Sequence, residues 1–349
     1  MCRTERYGAG PVRDAVRSLN PGYFALVMAT GIVSVGMVAH GQRAVSVLLL
    51  WLAGIGYAVL VVLSGWRLAS FHPDIAADFT DPARGFGFLT FVAGTDVLGT
   101  RLAADGHHDA AFILLMIGWA GWLVLGYVVP WTAVLGRTDR PVIAAANGTW
   151  FIWVVASQSV AVLAAELEPV YGHGRRELAL LAVFSWSVGV FLYPAAAIFV
   201  AARFLLYPLR PIDLTPPYWV SMGATAITVL AGARIVDMAD APMVAATRGL
   251  VAGTAVLFWA FGTWLIPVLV AAGVWRHIVH RVPLRYEAAL WSIVFPLGMY
   301  GVAAENLGQA DHLPIVQTIG ADEIWLALGA WVLTFVAMLS HLARTLVPR

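Results

Sequence analysis

The segments Gly22-YFALVMAT-Gly31 and Gly85-FGFLTFVA-Gly94 share a layout that occurs five times in this chain. Each begins at Gly, Pro or Ala, has an aromatic residue within two positions, and carries a small residue nine positions after its start. The other three are Gly148-TWFIWVVA-Ser157, Pro217-YWVSMGAT-Ala226 and Ala289-LWSIVFPL-Gly298. A chain with 33 glycines can also produce such matches by chance. Read as a repeat, the layout predicts five structurally related helices.

Composition indicates that lipid is the solvent of this chain. Of its 349 residues, 60% are hydrophobic and only 12% are charged, whereas soluble domains are roughly 25% charged. Fifteen Trp and ten Tyr fit aromatic belts at two membrane interfaces. The net charge of +1 gives no reason to expect a nucleic-acid partner. There is no Lys, and Cys2 is the only cysteine, so enzymes that rely on lysine or on paired cysteines are excluded.

Apolar runs of about 18–25 residues predict ten membrane-spanning helices. The runs cover residues 21–40, 44–66, 85–104, 109–131, 142–165, 177–206, 216–235, 244–273, 288–306 and 322–345. The seventh and ninth are the weakest predictions, because Thr, Ser, Gly and Pro dilute them. Short connections predict five antiparallel hairpins, with the odd-numbered helices inside around a central pore. We therefore predict an all-α integral membrane fold, with an N-terminal segment 1–20, a ten-helix domain 21–345 and a tail 346–349.

The distribution of arginine predicts the orientation in the membrane. Fifteen arginines fall on the side that holds both termini. Six fall on the other side: Arg43, Arg101, Arg175, Arg176, Arg234 and Arg248. Because the cytoplasmic side carries the excess of positive residues, both termini are predicted to be cytoplasmic. The protein is then a multi-pass protein of the plasma membrane, which in a bacterium is the inner membrane.

Asp96 is an ionisable residue inside the third predicted span. Such residues usually face a cavity or a partner, because burying a charge in lipid is costly. Arg101 lies five residues further on and is an imperfect helical partner. One interpretation is that Asp96 only accepts hydrogen bonds from neighbouring helices, since a fixed negative charge repels an anion. The other is that a protonated Asp96 couples transport to protons.

Three arginines are predicted at the outer end of the helices. Arg101, Arg234 and Arg248 would make an outer vestibule positive and attract anions. The alternative for each is that its guanidinium reaches the lipid headgroups. None of the nine His residues lies in the middle of a predicted span, where a haem ligand would be expected, so we predict no metal and no cofactor. An enzyme would need acid, base or metal groups clustered at one depth, and the sequence shows only scattered ones.

Small residues within the odd-numbered spans either allow close helix approach or leave room for a permeant species. On the second interpretation, the predicted pore lining is Thr30, Gly31, Phe91, Gly94, Ser157, Ala226 and Gly298.

The succession of these segments resembles a known family. Asn20-PGYFALVMATGIV-Ser34, Gly85-FGFLTFVA-Gly94, Leu214-TPPY-Trp219 and Phe295-PLGM-Tyr300 are similar, in order, to segments of the tellurite-resistance/dicarboxylate transporter family. That family includes plant slow-type anion channels, bacterial tellurite-resistance channels, fungal malate permeases and sulfite exporters. The resemblance implies five hairpins around a pore in each protomer, and commonly a homotrimer with three separate pores.

The resemblance also implies a pore gate at Phe295, directly before Pro296. A proline kinks a helix, and an aromatic ring across a narrow apolar pore blocks hydrated ions. The alternative is ordinary core packing, since Phe91 occupies the equivalent position of its repeat. Asp96 departs from the family pattern, in which a neutral residue is usual, and this leaves the charge of the permeant ion open.

The sequence therefore favours a transporter of small anions, such as a C4-dicarboxylate, sulfite, nitrate, chloride or a tellurium oxyanion. A proton-coupled carrier that uses Asp96 is the alternative within transport. A membrane-embedded enzyme is a remote one.

Overall fold

The structure is a computed structural model that describes residues 10–136, 141–238 and 242–346, and in this part of the chain the regular elements are all helices. The short helices α1 (Pro11–Arg17) and α4 (His72–Thr80) lie outside the predicted spans. The long helices are α2 (Ala25–Ala39), α3 (Arg43–Ser70), α5 (Thr90–Ala104), α6 (His108–Pro130), α7 (Ile152–Leu167), α8 (Arg175–Leu206), α9 (Val220–Asp237), α10 (Pro242–Val274), α11 (Trp291–Ala310) and α12 (Pro314–Leu346).

Each repeated segment forms the beginning of one helix, and that beginning is wound more tightly than the rest. A 3₁₀ turn precedes each of α2, α5, α7, α9 and α11, at Pro21–Phe24, Gly85–Leu89, Gly148–Phe151, Pro216–Trp219 and Ala288–Leu290. The side chains of Asn20 and Asn147 accept hydrogen bonds from the backbone N–H groups of Gly22 and Thr149, each at 2.8 Å. Such caps satisfy N–H groups that have no partner within the helix.

The five predicted hairpins are present. Helix α2 packs on α3, α5 on α6, α7 on α8, α9 on α10 and α11 on α12. Two predicted boundaries were wrong. The fifth span begins at Gly148 instead of residue 142, because Asn147 caps it and Val142–Ala145 forms a separate 3₁₀ turn. The tenth helix begins at Pro314 instead of residue 322.

Burial separates the long helices into an inner and an outer set, as predicted. The apolar stretch of α7 is 89% buried and that of α9 is 78% buried, but the corresponding stretches of α3 and α8 are each 22% buried. The inner helices α2, α5, α7, α9 and α11 pack in that order, and α11 closes the ring against α2. The outer helices present their apolar side chains to the surroundings, which suits contact with lipid.

Within the described residues, nine helices are long and apolar enough to span a membrane. The long helix that falls outside this set is α5, which carries Asp96, Arg101 and three threonines. The seventh and ninth spans, which the sequence marked as weakest, are both among the nine. Helix α5 is buried within the ring, so its polar groups are shielded from lipid by the other helices.

Charged residues join the short helices to one end of the ring. The Asp78 carboxylate of α4 forms ion pairs with Arg67 of α3 at 2.8 Å and with Arg84 at 2.6 Å. Arg17 of α1 reaches Asp74 at 3.1 Å. All five 3₁₀ turns lie at this end, which the arginine distribution predicts to be cytoplasmic. Residues 1–9, Arg137, Arg140 and the tail from residue 347 lie outside the described residues, so the predicted segments 1–20 and 346–349 stay predictions.

Candidate anion pathway

A cavity lies at the end of the ring where the inner helices begin, and we call it the N-side cavity. It has a volume of about 190 Å³. All five helix beginnings contribute to its wall, through Asn20, Gly22, Ala83, Arg84, Gly87, Asn147, Thr149, Ile152, Thr215, Pro217, Glu287, Ala288, Ala289 and Ser292. Many of these side chains are polar and uncharged, so the cavity suits a partly hydrated solute.

Five helix beginnings around one space make the N-side cavity electrostatically positive. Each helix N-terminus carries the equivalent of about half a positive charge, and it presents N–H groups that bind anions. Arg84 adds a full charge; its side chain is 39% exposed and pairs with Asp78. Glu287, an exposed carboxylate, opposes this field from the wall. The helix termini and Arg84 thus contribute positive potential to the cavity, and Asp78 and Glu287 oppose it.

A second cavity lies nearer the other end of the ring, and we call it the C-side cavity. Its volume is only about 10 Å³, which is about enough for one water molecule. Two residues in each inner helix line it: Ile32 and Val35, Val97 and Thr100, Ser159 and Val162, Ile227 and Leu230, and Met299 and Val302. Arg234 completes the wall. This part of the axis is therefore narrow and largely apolar.

Phe295 lies between the two cavities. Ser292 lines the N-side cavity, and Met299 and Val302 line the C-side cavity. Ser292, Phe295, Met299 and Val302 are separated by three, four and three positions, so all four lie on one face of α11. Phe295 is 1% exposed. The face of α11 that borders both cavities therefore carries a large buried ring where they fail to join.

Contacts of the residues that follow Phe295 on α11 show which way this face points. A Cβ on Gly223 of α9 would lie 2.9 Å from Cγ of Pro296, and a Cβ on Gly298 would lie 3.0 Å from Ile32 of α2. Gly301 touches the backbone of α12 at Gly320. Since α9, α2 and the outer α12 occupy three sides of α11, the fourth side, which holds Phe295, faces the axis of the ring.

The residues predicted to line the pore occupy helix contacts instead of the two cavities. A Cβ on Gly31 would lie 2.8 Å from Cγ1 of Val97, and one on Gly94 would lie 3.3 Å from the Phe24 carbonyl oxygen. Gly298 meets α2, as described above, and Ala226 is 2% exposed. These small residues let neighbouring backbones approach closely, which is the first of the two interpretations weighed from the sequence.

The polar and aromatic members of that set point toward outer helices. Trp331 of α12 donates to Thr30 at 3.0 Å, and Trp122 of α6 donates to Ser157 at 2.8 Å. The Phe91 ring stacks on the Tyr57 ring of α3, and the two ring centroids are 6.2 Å apart. Phe91 therefore differs from Phe295 in its surroundings, although both hold the same position in the repeat.

Arg101 is buried at helix contacts away from both cavities. Its Nε donates to Ser34 at 2.8 Å and to Ser46 at 3.0 Å, and its guanidinium reaches Asp105 at 2.9 Å. It is 0% exposed. These contacts tie α5 to α2 and α3, and Arg101 makes no ion pair with Asp96 in the described structure.

The other two predicted outer arginines have different surroundings. Arg234 lines the C-side cavity and reaches Glu166 of α7 at 3.3 Å. Arg248 donates to the carbonyl oxygens of Val236 and Met238, at 2.7 and 3.0 Å, at the end of α9. Arg234 is thus the one of the three that borders the axis.

Asp96 lies one side chain away from the C-side cavity. Ser159, which lines that cavity, donates to Oδ2 of Asp96 at 2.7 Å. A Cβ at Gly118 would overlap Oδ1, so this glycine of α6 makes room for the carboxylate. Asp96 is 0% exposed, and its Oδ1 has no hydrogen-bond partner among the described residues. A group in this position can influence the pathway through Ser159 without touching the permeant ion.

Sequence reasoning missed Arg84 and Thr100 as residues of the two cavities. Arg84 carried a signal, because it directly precedes a repeated segment, but it was used only to predict orientation. Thr100 lies fifteen positions after Gly85, the start of its repeated segment. A search for polar residues beyond the ninth repeat position would have found it.

Comparison with known proteins identifies relatives along almost the whole chain. Residues 18–339 match the family model described as voltage-dependent anion channel. An uncharacterized membrane protein of Mycobacterium tuberculosis is 71% identical over 157 residues, which are 45% of this chain and 80% of that protein. Two uncharacterized transporters of Methanocaldococcus jannaschii are 23% and 22% identical over 93% of this chain, and over 93% and 95% of their own lengths.

Proposed function

The chain belongs to the voltage-dependent anion channel family, and on this premise we propose that small anions pass along the axis of its inner ring. The observation that carries the proposal is the alignment of the N-side and C-side cavities with Phe295 between them. Five helix N-termini and Arg84 attract the anion into the N-side cavity. The narrow C-side cavity then requires it to shed most of its water.

We propose that Phe295 is the gate. Its buried ring separates the cavities, and Pro296 interrupts the helical hydrogen-bond pattern of α11 beside it. A rotation of the ring about its side-chain bonds would join the two spaces without moving the helices. Binding along this route is shallow, because the cavities offer few charged partners and fast passage requires weak sites.

The permeant class is a small anion: chloride, nitrate, sulfite, a C4-dicarboxylate or a tellurium oxyanion. The N-side cavity of about 190 Å³ accommodates any of these. Glu287 in its wall disfavours high charge, so monovalent ions are expected to pass most readily.

The test is passive anion uptake by proteoliposomes that contain the purified chain, measured for each anion under an imposed gradient. Selective uptake without chemical change of the solute supports a channel or carrier. Protein that is folded by circular dichroism but takes up none of these anions would overturn the proposal.

A proton-coupled carrier is the second candidate, and the Ser159–Asp96 hydrogen bond favours it. Protonation of Asp96 would change that bond at the wall of the C-side cavity. In this case uptake responds to a pH gradient, and Asp96→Asn removes the response while Ser159→Ala weakens it. An unchanged pH response in Asp96→Asn would exclude the coupling role.

We further propose that the protein lies in the plasma membrane with both termini in the cytoplasm, and that it assembles as a homotrimer. Cys2 is the single cysteine of the chain, so it reports orientation directly. A membrane-impermeant maleimide should label it in inverted vesicles but not in intact cells, and the reverse result would refute the orientation. The mass of the detergent-solubilised complex, corrected for detergent, tests for three copies.

A further inference from the structure

A third cavity lies beside the axis at the same end as the N-side cavity, and we call it the lateral cavity. It has a volume of about 300 Å³ and is bounded by the start of α9, the end of α10 and the start of α11. Its lining is mainly apolar and includes Trp219, Leu269, Val270, Leu284, Leu290 and Ile293. A space of this character at the rim of a membrane protein suits a hydrocarbon chain.

One buried cation interrupts this apolar lining. Helix α10 continues into a π-helical turn, Trp275–Val279, which carries Arg276 into the cavity wall. Arg276 is 9% exposed. Its Nη1 donates to the carbonyl oxygens of Leu214 and Ile212, and its Nε has no hydrogen-bond partner in the described part of the chain. A buried charge is costly unless it is paired and hydrogen-bonded.

The structure offers Arg276 no carboxylate among the described residues. The lining contains no Asp or Glu. Asp213, on the preceding loop, is engaged by Arg210 at 2.9 Å and by Arg203 at 3.5 Å. The hydrogen bond from Arg210 lowers the pKa of Asp213, so this carboxylate is charged but already paired. Arg276 therefore has no anionic partner among the described residues.

The loop that follows adds positive charge at the rim. Arg281 and Arg285 are exposed, and Leu284 between them lines the cavity. Clusters of arginine at the cytoplasmic membrane surface attract anionic lipid headgroups. A free phosphate would pair with the Arg276 charge but would leave the apolar lining uncovered. A phospholipid would pair with the charge through its phosphate and cover the lining with an acyl chain.

We propose that the lateral cavity binds one anionic phospholipid, with its phosphate at Arg276 and an acyl chain along the apolar lining. The binding itself does not depend on the proposed function. The consequence of lipid binding for transport does depend on it, because Leu290, the last residue of the 3₁₀ turn, and Ile293 of α11 directly precede Phe295. A bound lipid would hold this segment in place and so change how readily the ring moves.

The test is native mass spectrometry of the purified full chain, titrated separately with phosphatidylglycerol, phosphatidylcholine and inorganic phosphate. We expect retention of one phosphatidylglycerol, with affinity on the order of tenfold above that for phosphatidylcholine, because a guanidinium–phosphate contact is charge-assisted. Equal retention of both lipids would overturn the proposal. Displacement of the lipid by millimolar phosphate would also overturn it, because the site would then hold the free ion.

Substitutions distinguish lipid bound in the lateral cavity from lipid bound elsewhere on the protein surface. Arg276→Gln should lose the preference for phosphatidylglycerol. Because Arg276 also holds the loop at Leu214, a second variant is needed: Gly273→Leu fills the cavity from α10, where a Cβ meets no atom within 4 Å. Gly253→Leu is the matched control, since Gly253 lies on the same helix, is equally open and does not line the cavity.

The expected pattern is high-affinity phosphatidylglycerol binding in wild type and Gly253→Leu, and its loss in Gly273→Leu. Equal binding in all three would place the lipid elsewhere and refute the site. Anion uptake by the same proteins, in liposomes with and without phosphatidylglycerol, then reports separately on transport. Lipid binding without any uptake refutes the proposed function and leaves the lipid site standing.

Discussion

The N-side and C-side cavities share one axis and the same five helices, but they differ in size and chemistry. The N-side cavity has a volume of about 190 Å³ and a wall in which half of the lining residues are polar or charged, whereas the C-side cavity has a volume of about 10 Å³ and a largely apolar wall. The difference follows from the direction of the helices. All five begin at the N-side cavity, where capping residues and free N–H groups collect, and they meet at the C-side cavity through regular helix faces.

On the proposed function, this contrast assigns different roles to the two cavities. The N-side cavity would gather anions through helix N-termini and Arg84, without a deep binding site. The C-side cavity and Phe295 would determine whether an anion passes. Variants at the barrier should therefore change the rate of passage more than variants at either mouth.

The largest effect is expected from Phe295→Ala. Removing the ring joins the two cavities, and anion uptake should rise on the order of tenfold, equivalent to about 1.4 kcal/mol off the barrier. Uptake by proteoliposomes measures it. The control is Phe151→Ala, which removes an equally large buried ring that packs on Tyr193 of an outer helix, 5.3 Å away. An equal rise in both variants would show a general loss of packing and not a gate.

The next effect concerns the wall of the N-side cavity. A Cβ on Gly148 would overlap the backbone of Pro217, so Gly148→Ala should separate two adjacent helix beginnings. We expect a loss of about 1–3 kcal/mol in stability, seen as a lower midpoint of thermal unfolding in detergent. Gly65→Ala on α3, where a Cβ meets no atom within 4 Å, should leave the midpoint unchanged or raise it. If Gly148→Ala leaves the unfolding midpoint unchanged, these two helix beginnings are not in close contact.

A moderate effect is expected from Arg84→Gln. The charge at the N-side cavity raises the local anion concentration, so its loss should lower uptake about two- to fivefold, with less effect at high salt. Arg17→Gln removes a charge that pairs with Asp74 outside the cavity and should leave uptake nearly unchanged. If both variants reduce uptake equally, the general surface charge is responsible and not Arg84.

The smallest effect is expected from Arg234→Gln at the C-side cavity. Arg234 pairs with Glu166 and is one-third exposed, so solvent and its partner screen the charge. We expect a decrease in uptake of less than about twofold at physiological salt. Arg175→Gln, on the same side but paired with Glu168 away from the cavity, is the reference. A larger decrease than that of Arg84→Gln would reverse the assigned roles of the two mouths.

The sequence predicted the order of the helices and their pairing, because apolar runs and short loops report on both. The inner set was also predictable, since the five repeated segments mark its beginnings. The sequence did not predict which face of each inner helix borders the axis. Helix α7 is buried on nearly all sides, and its polar residues Ser157, Gln158 and Ser159 are consecutive, so they fall on different faces and do not reveal which side borders the axis.

Particular residues show where this limit applies. Gly31 and Gly94 are small because helices touch there, and this cannot be distinguished in sequence from space left for an ion. Arg101 finds Ser34 and Ser46, which lie 67 and 55 positions away, and no local pattern signals such a partnership. Phe295 was identified by resemblance alone, and its position between the cavities became visible only when the other ten lining residues of the inner helices were in place.

The packing of α11 against α2 makes the order of hairpins around the axis cyclic. The five 3₁₀ turns touch their neighbours in the same closed circuit. In a closed circuit no hairpin is first or last in terms of its contacts, although the gene must begin at one of them. A circularly permuted chain, opened at a loop between two hairpins, would make the same set of inter-hairpin contacts. The closure of the ring therefore depends on contacts between neighbouring hairpins and not on the point at which the chain begins.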